Sequence, residues 1–256
     1  MKKQTIVVSM LALGIFAGAA IAAPPYTDPG QGVLGSLHDM NKIDAGNPDP
    51  EGRVCAFCHT PHHAVQDPSG APQPLWSKSF TAADPAAGNM VAYQSPYYTL
   101  DIPDPLIGPS RLCMSCHDGV IAADQHYNIP GVNVLTDDNF GGRAIGKKNA
   151  AGLYDFSNDH PIGMNYGDAA TAAGNLANGA PNIWPSSLQF LDVNLARTGK
   201  TIDATLYNGI MTCATCHDVH NKENVVNPIG GRNYFVYAPQ DNSALCISCH
   251  NKANNQ

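Results

Sequence analysis

The sequence predicts a loop-rich fold of short helices with little strand, wound around large apolar groups instead of one core of side chains. Three observations lead there. The 256 residues include 24 glycines and 20 prolines, a density of turn formers that leaves little room for long regular elements. Aromatic residues make up only 7%, so the side chains by themselves offer few bulky groups to bury. All eight cysteines fall into one recurring pattern, C-x-x-C-H, at Cys55–His59, Cys113–His117, Cys213–His217 and Cys246–His250.

A C-x-x-C-H run is the covalent attachment site of a c-type haem, whose vinyls form thioethers with the two thiols while the adjacent histidine takes one axial position on the iron. On a helical turn the first cysteine, the second at i+3 and the histidine at i+4 share one face, so all three converge on one porphyrin edge. Cys55, Cys58, Cys113, Cys116, Cys213, Cys216, Cys246 and Cys249 are therefore read as haem attachments, and His59, His117, His217 and His250 as proximal iron ligands. A zinc or thiol-redox pair would not explain a histidine after every C-x-x-C. The fold class is a multihaem cytochrome c, packed around a stack of four c-type haems.

The amino terminus carries Lys2 and Lys3, an apolar run from Ile6 to Ile21, and Ala20 and Ala22 at the spacing a signal peptidase reads. Residues 1–22 are read as a secretory signal peptide, too short in its apolar core for a transmembrane anchor. No other stretch approaches a membrane span, and no spare cysteine remains for a lipid anchor or a disulfide. Losing Lys2 and Lys3 leaves 12 of the 14 basic residues against 21 acidic ones, a net charge of −9. The balance argues against a nucleic-acid partner.

Residues 23–256 are read as a single domain: a first haem pair over about 38–119, an insertion over about 120–205 and a second pair over about 206–250. Residues 23–47 form a Pro/Gly-rich arm whose one conspicuous residue is His38. Residues 64–109, with Trp76, Tyr93, Tyr97 and Tyr98, are expected as irregular chain over a haem face. Ser110 is placed to cap a short helix over the second motif and Gly119 to end it. In the insertion, turns are expected at Asp137-Asp138-Asn139 and Gly141-Gly142, and a short strand pair from Ile183-Trp184 and Leu188 to Leu195. A helix is expected from Ala204 to Thr212, a cap at Asp241-Asn242-Ser243, and a frayed tail from Asn251.

The motifs themselves repeat. His62 follows His59 by three residues as His220 follows His217, whereas the second and fourth motifs share Leu-Cys-x-Ser-Cys-His. The chain thus reads as a duplicated haem pair. Ten histidines less four proximal ligands leave six for four distal positions, and His38, His62, His160 and His220 are the candidates; His63 and His126 are set aside, the latter as a residue of a polar loop. Methionines lie mostly inside or against the motifs, so bis-histidine ligation is expected. A histidine three residues past its own proximal ligand cannot easily round the ring, so His62 is assigned to the second haem and His220 to the fourth. His38 and His160 then serve the first and third, with Asp39 and Asp159 as neighbours able to orient the rings.

Leu37-His38-Asp39, Val54-Cys55-x-x-Cys58-His59-Thr60-Pro61-His62, Pro74-Leu75-Trp76, Leu112-Cys113-x-Ser115-Cys116-His117-Asp118-Gly119 and Asn158-Asp159-His160-Pro161 together resemble the doubled C-x-x-C-H multihaem cytochromes. Among these the chain is similar to extracellular tetrahaem cytochromes that polymerise into conducting filaments, the OmcE-type nanowire cytochromes. The resemblance covers about 38–250. It implies a continuous haem chain of parallel and angled pairs, a homopolymer, electron transfer from redox-protein donors to extracellular acceptors, and a cell-surface or secreted location. In such filaments a distal histidine can come from the neighbouring subunit, and His38 on its arm is the candidate here.

The reading is an electron carrier and not an enzyme, since two imidazoles on every iron leave no position for a substrate. A diffusible periplasmic tetrahaem shuttle is the alternative within that class. A multihaem reductase requires an open iron position, and a quinol-oxidising module requires a retained membrane helix.

Overall fold

The computed structural model describes residues 32–36, 38–42, 48–65, 74–78, 89–126, 129–132, 134, 145–146, 148–220 and 234–251. The signal peptide, the turns at 137–142 and nearly all of the tail lie outside them. The described chain is loop-rich, with four short α-helices and two two-stranded sheets. The first sheet pairs β1 (Met90–Val91) in parallel with β2 (Tyr154–Asp155); the second pairs β3 (Gln189–Leu191) antiparallel with β4 (Arg197–Thr201). The helices are α1 (Pro109–His117), α2 (Tyr166–Ala173), α3 (Cys213–Cys216) and α4 (Ala244–Cys249). Three of the four carry a C-x-x-C-H motif, and the first motif lies on a 3-10 turn, Val54–Phe57.

Apolar burial is divided among small clusters seated against the motifs. Phe57 lies inside the first motif and packs with Met40, Ala123 and Cys116. Met114, inside the second motif, joins Leu106, Tyr154 and Phe156. Ile102, Met164, Ala169 and Met211 gather beside Cys216, while Tyr166, Phe190, Ile202 and Ala238 gather beside Cys249.

Several local expectations are corrected. No helix runs from Ala204 to Thr212: after a 3-10 turn at Asp203–Thr205, Tyr207 and Ile210 exchange backbone hydrogen bonds of 2.9 Å in both directions. Asn208 and Gly209 between them have φ of 50° and 81°, the left-handed pair that a tight hairpin turn demands and Asn-Gly supplies. The strand pair forms farther along than expected. Asp192 makes its turn by accepting from the backbone N–H groups of Asn194 and Ala196, so β3 meets β4, while Ile183 bridges to His250.

Ser110 does not cap α1. The helix starts at Pro109 after Gly108, whose φ is +60° and where a Cβ would strike the Tyr207 ring. Ser110 Oγ instead accepts from the Cys213 backbone N–H at 3.0 Å, tying the second motif to the third. Gly119, with φ of 73°, lies just past the end of α1 as expected. Ser243 stands at the start of α4 in a left-handed conformation without a side-chain cap.

Candidate metal centres

The first and third motifs hold their histidines in the same way. His59 Nδ1 is 2.5 Å from the Pro74 carbonyl and His217 Nδ1 is 2.6 Å from the Tyr234 carbonyl. A carbonyl can only accept, so each Nδ1 carries the proton and each Nε2 keeps its lone pair for a metal. Both residues also form isolated bridges, His59 to Trp76 and His217 to Val236. The same tautomer holds for His160, whose Nδ1 donates to the Pro161 carbonyl at 3.1 Å. That carbonyl takes the orienting role expected of Asp159.

The second and fourth motifs share a different device, the serine of Leu-Cys-x-Ser-Cys-His. Ser115 Oγ donates to the Leu112 carbonyl at 2.7 Å and accepts from Trp76 Nε1 at 2.8 Å. Ser248 Oγ donates to the Ala244 carbonyl at 2.7 Å and accepts from the Leu191 backbone N–H at 2.9 Å. Each fully buried hydroxyl thus anchors a motif helix to its neighbour. The shared pattern was visible in the sequence; its purpose was not.

Three motif histidines lie beside a second imidazole. Ring centres are 6.1 Å apart for His38 and His117, 6.3 Å for His59 and His220, and 6.2 Å for His160 and His250. An imidazole nitrogen bonds a transition metal at about 2 Å, so two imidazoles sharing one metal ion have ring centres roughly 6 Å apart. The three pairs fit that requirement, so these residues could hold an iron between them.

The pairing differs from the one expected. His220 faces His59 of the first motif, not the fourth; His38 faces His117 of the second, not the first; His160 faces His250 of the fourth, not the third. His62 faces none of the proximal histidines, and all ten histidines are among the described residues. No histidine ring faces His217, whose side is exposed, and His62 and His63 are exposed as well. The offset argument considers only motifs adjacent in sequence. The chain after the third motif instead folds back onto the first.

His126 is not in a polar loop. It is 2% exposed, its ring packs on Phe57 with centres 4.2 Å apart, and its Nε2 lies 3.3 Å from Asp49. Asp49 also takes the Arg53 guanidinium at 2.8 Å. That hydrogen-bonded pair lowers the Asp49 carboxyl to about 2, against the opposing effect of burial.

Cysteines of successive motifs also approach one another. All eight are free thiols. Burial, with a contribution from Cys116, pushes Cys58 up to about 12. Cys113 donates to Cys213, which raises Cys113 and lowers Cys213 to about 7. Burial, followed by Cys249, pushes Cys216 up to about 12. Cys58 thus lies near Cys116, Cys113 near Cys213, and Cys216 near Cys249.

Comparison with known protein families and with curated proteins finds no match to this chain. Among the described residues no helix is long and apolar enough to cross a membrane.

Proposed function

We propose that this protein is a tetrahaem electron carrier of the multihaem cytochrome c class, passing electrons along four covalently bound c-type haems in sequence order. The observation that carries the reading is the set of three imidazole pairs at 6.1–6.3 Å, each made of one motif histidine and one distant histidine. His38 and His117, His59 and His220, and His160 and His250 would hold three irons, and His217 the fourth from one side. Bound haem supplies one-electron redox chemistry. The chain's own part is to fix the rings through Nδ1 and to bring the attachment edges close enough for electrons to hop.

The iron at His217, in the third motif, takes its second imidazole in this reading from another copy of the chain, which makes the functional unit an extracellular conductive homopolymer. His38, first expected to act in trans, faces His117 of its own chain. His62 is the better donor, being exposed and the repeat counterpart of His220. Redox-protein donors and external acceptors complete the path. The alternative, a diffusible periplasmic shuttle, would use the same three pairs, and a reductase would use the open side of the iron at His217.

The secreted protein should carry four covalent haems by mass and by pyridine haemochrome absorbance. Dispersed to monomer, it should have three low-spin irons and one high-spin or water-ligated iron, and assembly should convert the fourth to the bis-histidine spectrum. Four bis-histidine irons in the dispersed monomer would rule out ligation in trans. A haem-free chain would rule out the whole reading.

A further inference from the structure

One backbone arrangement recurs at the first, third and fourth motifs, and two of its copies carry strain. In each the motif histidine sits in a short antiparallel ladder: His59 bridges Trp76, His217 bridges Val236 and His250 bridges Ile183. The flanking hydrogen bonds match one for one. The backbone N–H after the histidine donates to the carbonyl of the residue before its bridge partner, Thr60 to Leu75 at 2.7 Å, Asp218 to Phe235 at 2.9 Å and Asn251 to Asn182 at 2.9 Å. The residue after the bridge partner donates to the carbonyl of the second cysteine, Ser77 to Cys58 at 2.8 Å, Tyr237 to Cys216 at 3.1 Å and Trp184 to Cys249 at 2.8 Å.

The copies part at one residue. Leu75 and Phe235 stand in the left-handed region, with φ of 55° and 58°, and Tyr234 joins Phe235 there at 49°. Bulky side chains are disfavoured in that region and glycine is its usual occupant. The carbonyls just before Leu75 and Phe235, those of Pro74 and Tyr234, are the ones that accept from Nδ1 of His59 and His217. At the fourth motif the matching residue, Asn182, is not among the described residues with positive φ. There the preceding carbonyl, of Pro181, accepts from the Asn251 side-chain amide at 2.9 Å. The ladder by itself therefore does not aim this carbonyl at the imidazole; it is aimed in the two copies whose next residue is left-handed. Leu75 is 53% exposed, so its strained backbone is not a by-product of burying its side chain. Strain kept at two matching positions, in a chain with 24 glycines, points to what it positions.

We propose that Leu75 and Phe235 are positioning residues for the first and third iron ligands: their left-handed backbone turns the preceding carbonyl onto Nδ1 of the motif histidine and so lowers the reduction potential of the haem which that histidine holds. This rests on the haem reading above. A carbonyl on Nδ1–H makes Nε2 a more basic ligand, and a more basic axial ligand favours ferric over ferrous iron. The electron that reduces the iron comes from an external one-electron reductant, and the Nδ1 proton stays in place throughout.

The test is a spectroelectrochemical titration of the full, haem-loaded protein and its Leu75→Gly, Leu75→Val, Phe235→Leu, Phe235→Val and Asn182→Val variants, each first assayed for four covalent haems. A β-branched residue resists the left-handed region, so Leu75→Val should move one of the four one-electron steps to higher potential by roughly tenfold in the equilibrium, about 59 mV. Leu75→Gly, which adopts that φ freely, should titrate as the parent. Both variants at position 235 lose the ring that lies 4.8 Å from His38, so they are compared with each other: one step of Phe235→Val should lie roughly tenfold, about 59 mV, above that of Phe235→Leu. Asn182→Val should move no step, and the spin states of every variant should match the parent by electron paramagnetic resonance. No shift in Leu75→Val, an equal shift in Leu75→Gly, a comparable shift in Asn182→Val or a changed spin state overturns the proposal. So does failure of either Leu75 variant to load four haems, which assigns the residue to folding. Fewer than four haems in the parent protein would instead overturn the haem reading itself.

Discussion

The first and second halves of this chain mount their motif histidines and serines alike and differ in what they place around them. His59 and His217 each donate Nδ1 to a carbonyl contributed from later in the chain, from Pro74 and Tyr234. Ser115 and Ser248 each tie a motif helix to a neighbouring element. Yet His59 faces His220 whereas no described histidine ring faces His217, and the first half encloses Lys78, His126 and Asp49 whereas the second leaves Arg197 partly exposed. The difference separates two kinds of information. The mounts recur in both halves; the second imidazole and the local charge come from packing between distant segments, which differs between the halves.

The largest effect that would sharpen this contrast is loss of an axial ligand. His220→Ala should make the first haem high-spin in monomer and assembly alike, whereas His62→Ala should alter the spectrum only in the assembled state. Electron paramagnetic resonance of both variants in both states separates the outcomes. A His62→Ala monomer with an additional high-spin iron would mean that the two halves exchange ligands symmetrically within one chain.

Next in size are the serines. Ser115→Ala leaves Trp76 Nε1 without its acceptor, and Ser248→Ala does the same to the backbone N–H of Leu191. Losing a buried partner costs about 1–3 kcal/mol. Denaturant titration should give similar losses for the two variants, and hydrogen exchange should place the effect at Trp76 in one and at β3 in the other. Unequal losses would mean that the mounts are alike in geometry only.

The smallest contrast is in acid. The Asp49 carboxyl is held near 2, below its ordinary 3.8, first by its hydrogen bonds to Arg53. A depressed carboxyl stabilises the fold above its unfolded value, and that contribution fades as pH falls from about 4 towards 2. Between those values the Met40, Phe57 and Ala123 cluster should loosen before the Tyr166, Phe190 and Ile202 cluster. Asp49→Asn should remove this pH dependence. Fluorescence cannot assign the step, because Trp76 and Trp184 both lie near proposed haems, so exchange of the Phe57 and Phe190 amides is the measurement.

Much of the local architecture was legible in the residues. Gly and Pro content excluded long elements, and four C-x-x-C-H copies marked every motif turn now seen as a short helix or 3-10 turn. The Leu-Cys-x-Ser-Cys-His pattern marked the duplicated serine, although its hydrogen bonds could not be read from spacing. Ala204–Thr212 misled because helix-compatible composition hid Asn208-Gly209, a turn signal strong enough to override it. His126 misled in another way, since polar neighbours in sequence say little about a ring that buries itself on Phe57, far along the chain.

The sequence by itself determined which residues form the four attachment turns, because thiol, thiol and imidazole spacing is a property of one helical turn. It also determined the short-range rhythm of turns between them. Only the tertiary structure decided which imidazole lies beside which motif, that Lys78 is buried against the Ala122 and Gln125 carbonyls, and that Cys113 meets Cys213. Those choices depend on contacts between segments far apart in the chain, where no local periodicity constrains the outcome and packing alone selects the partner.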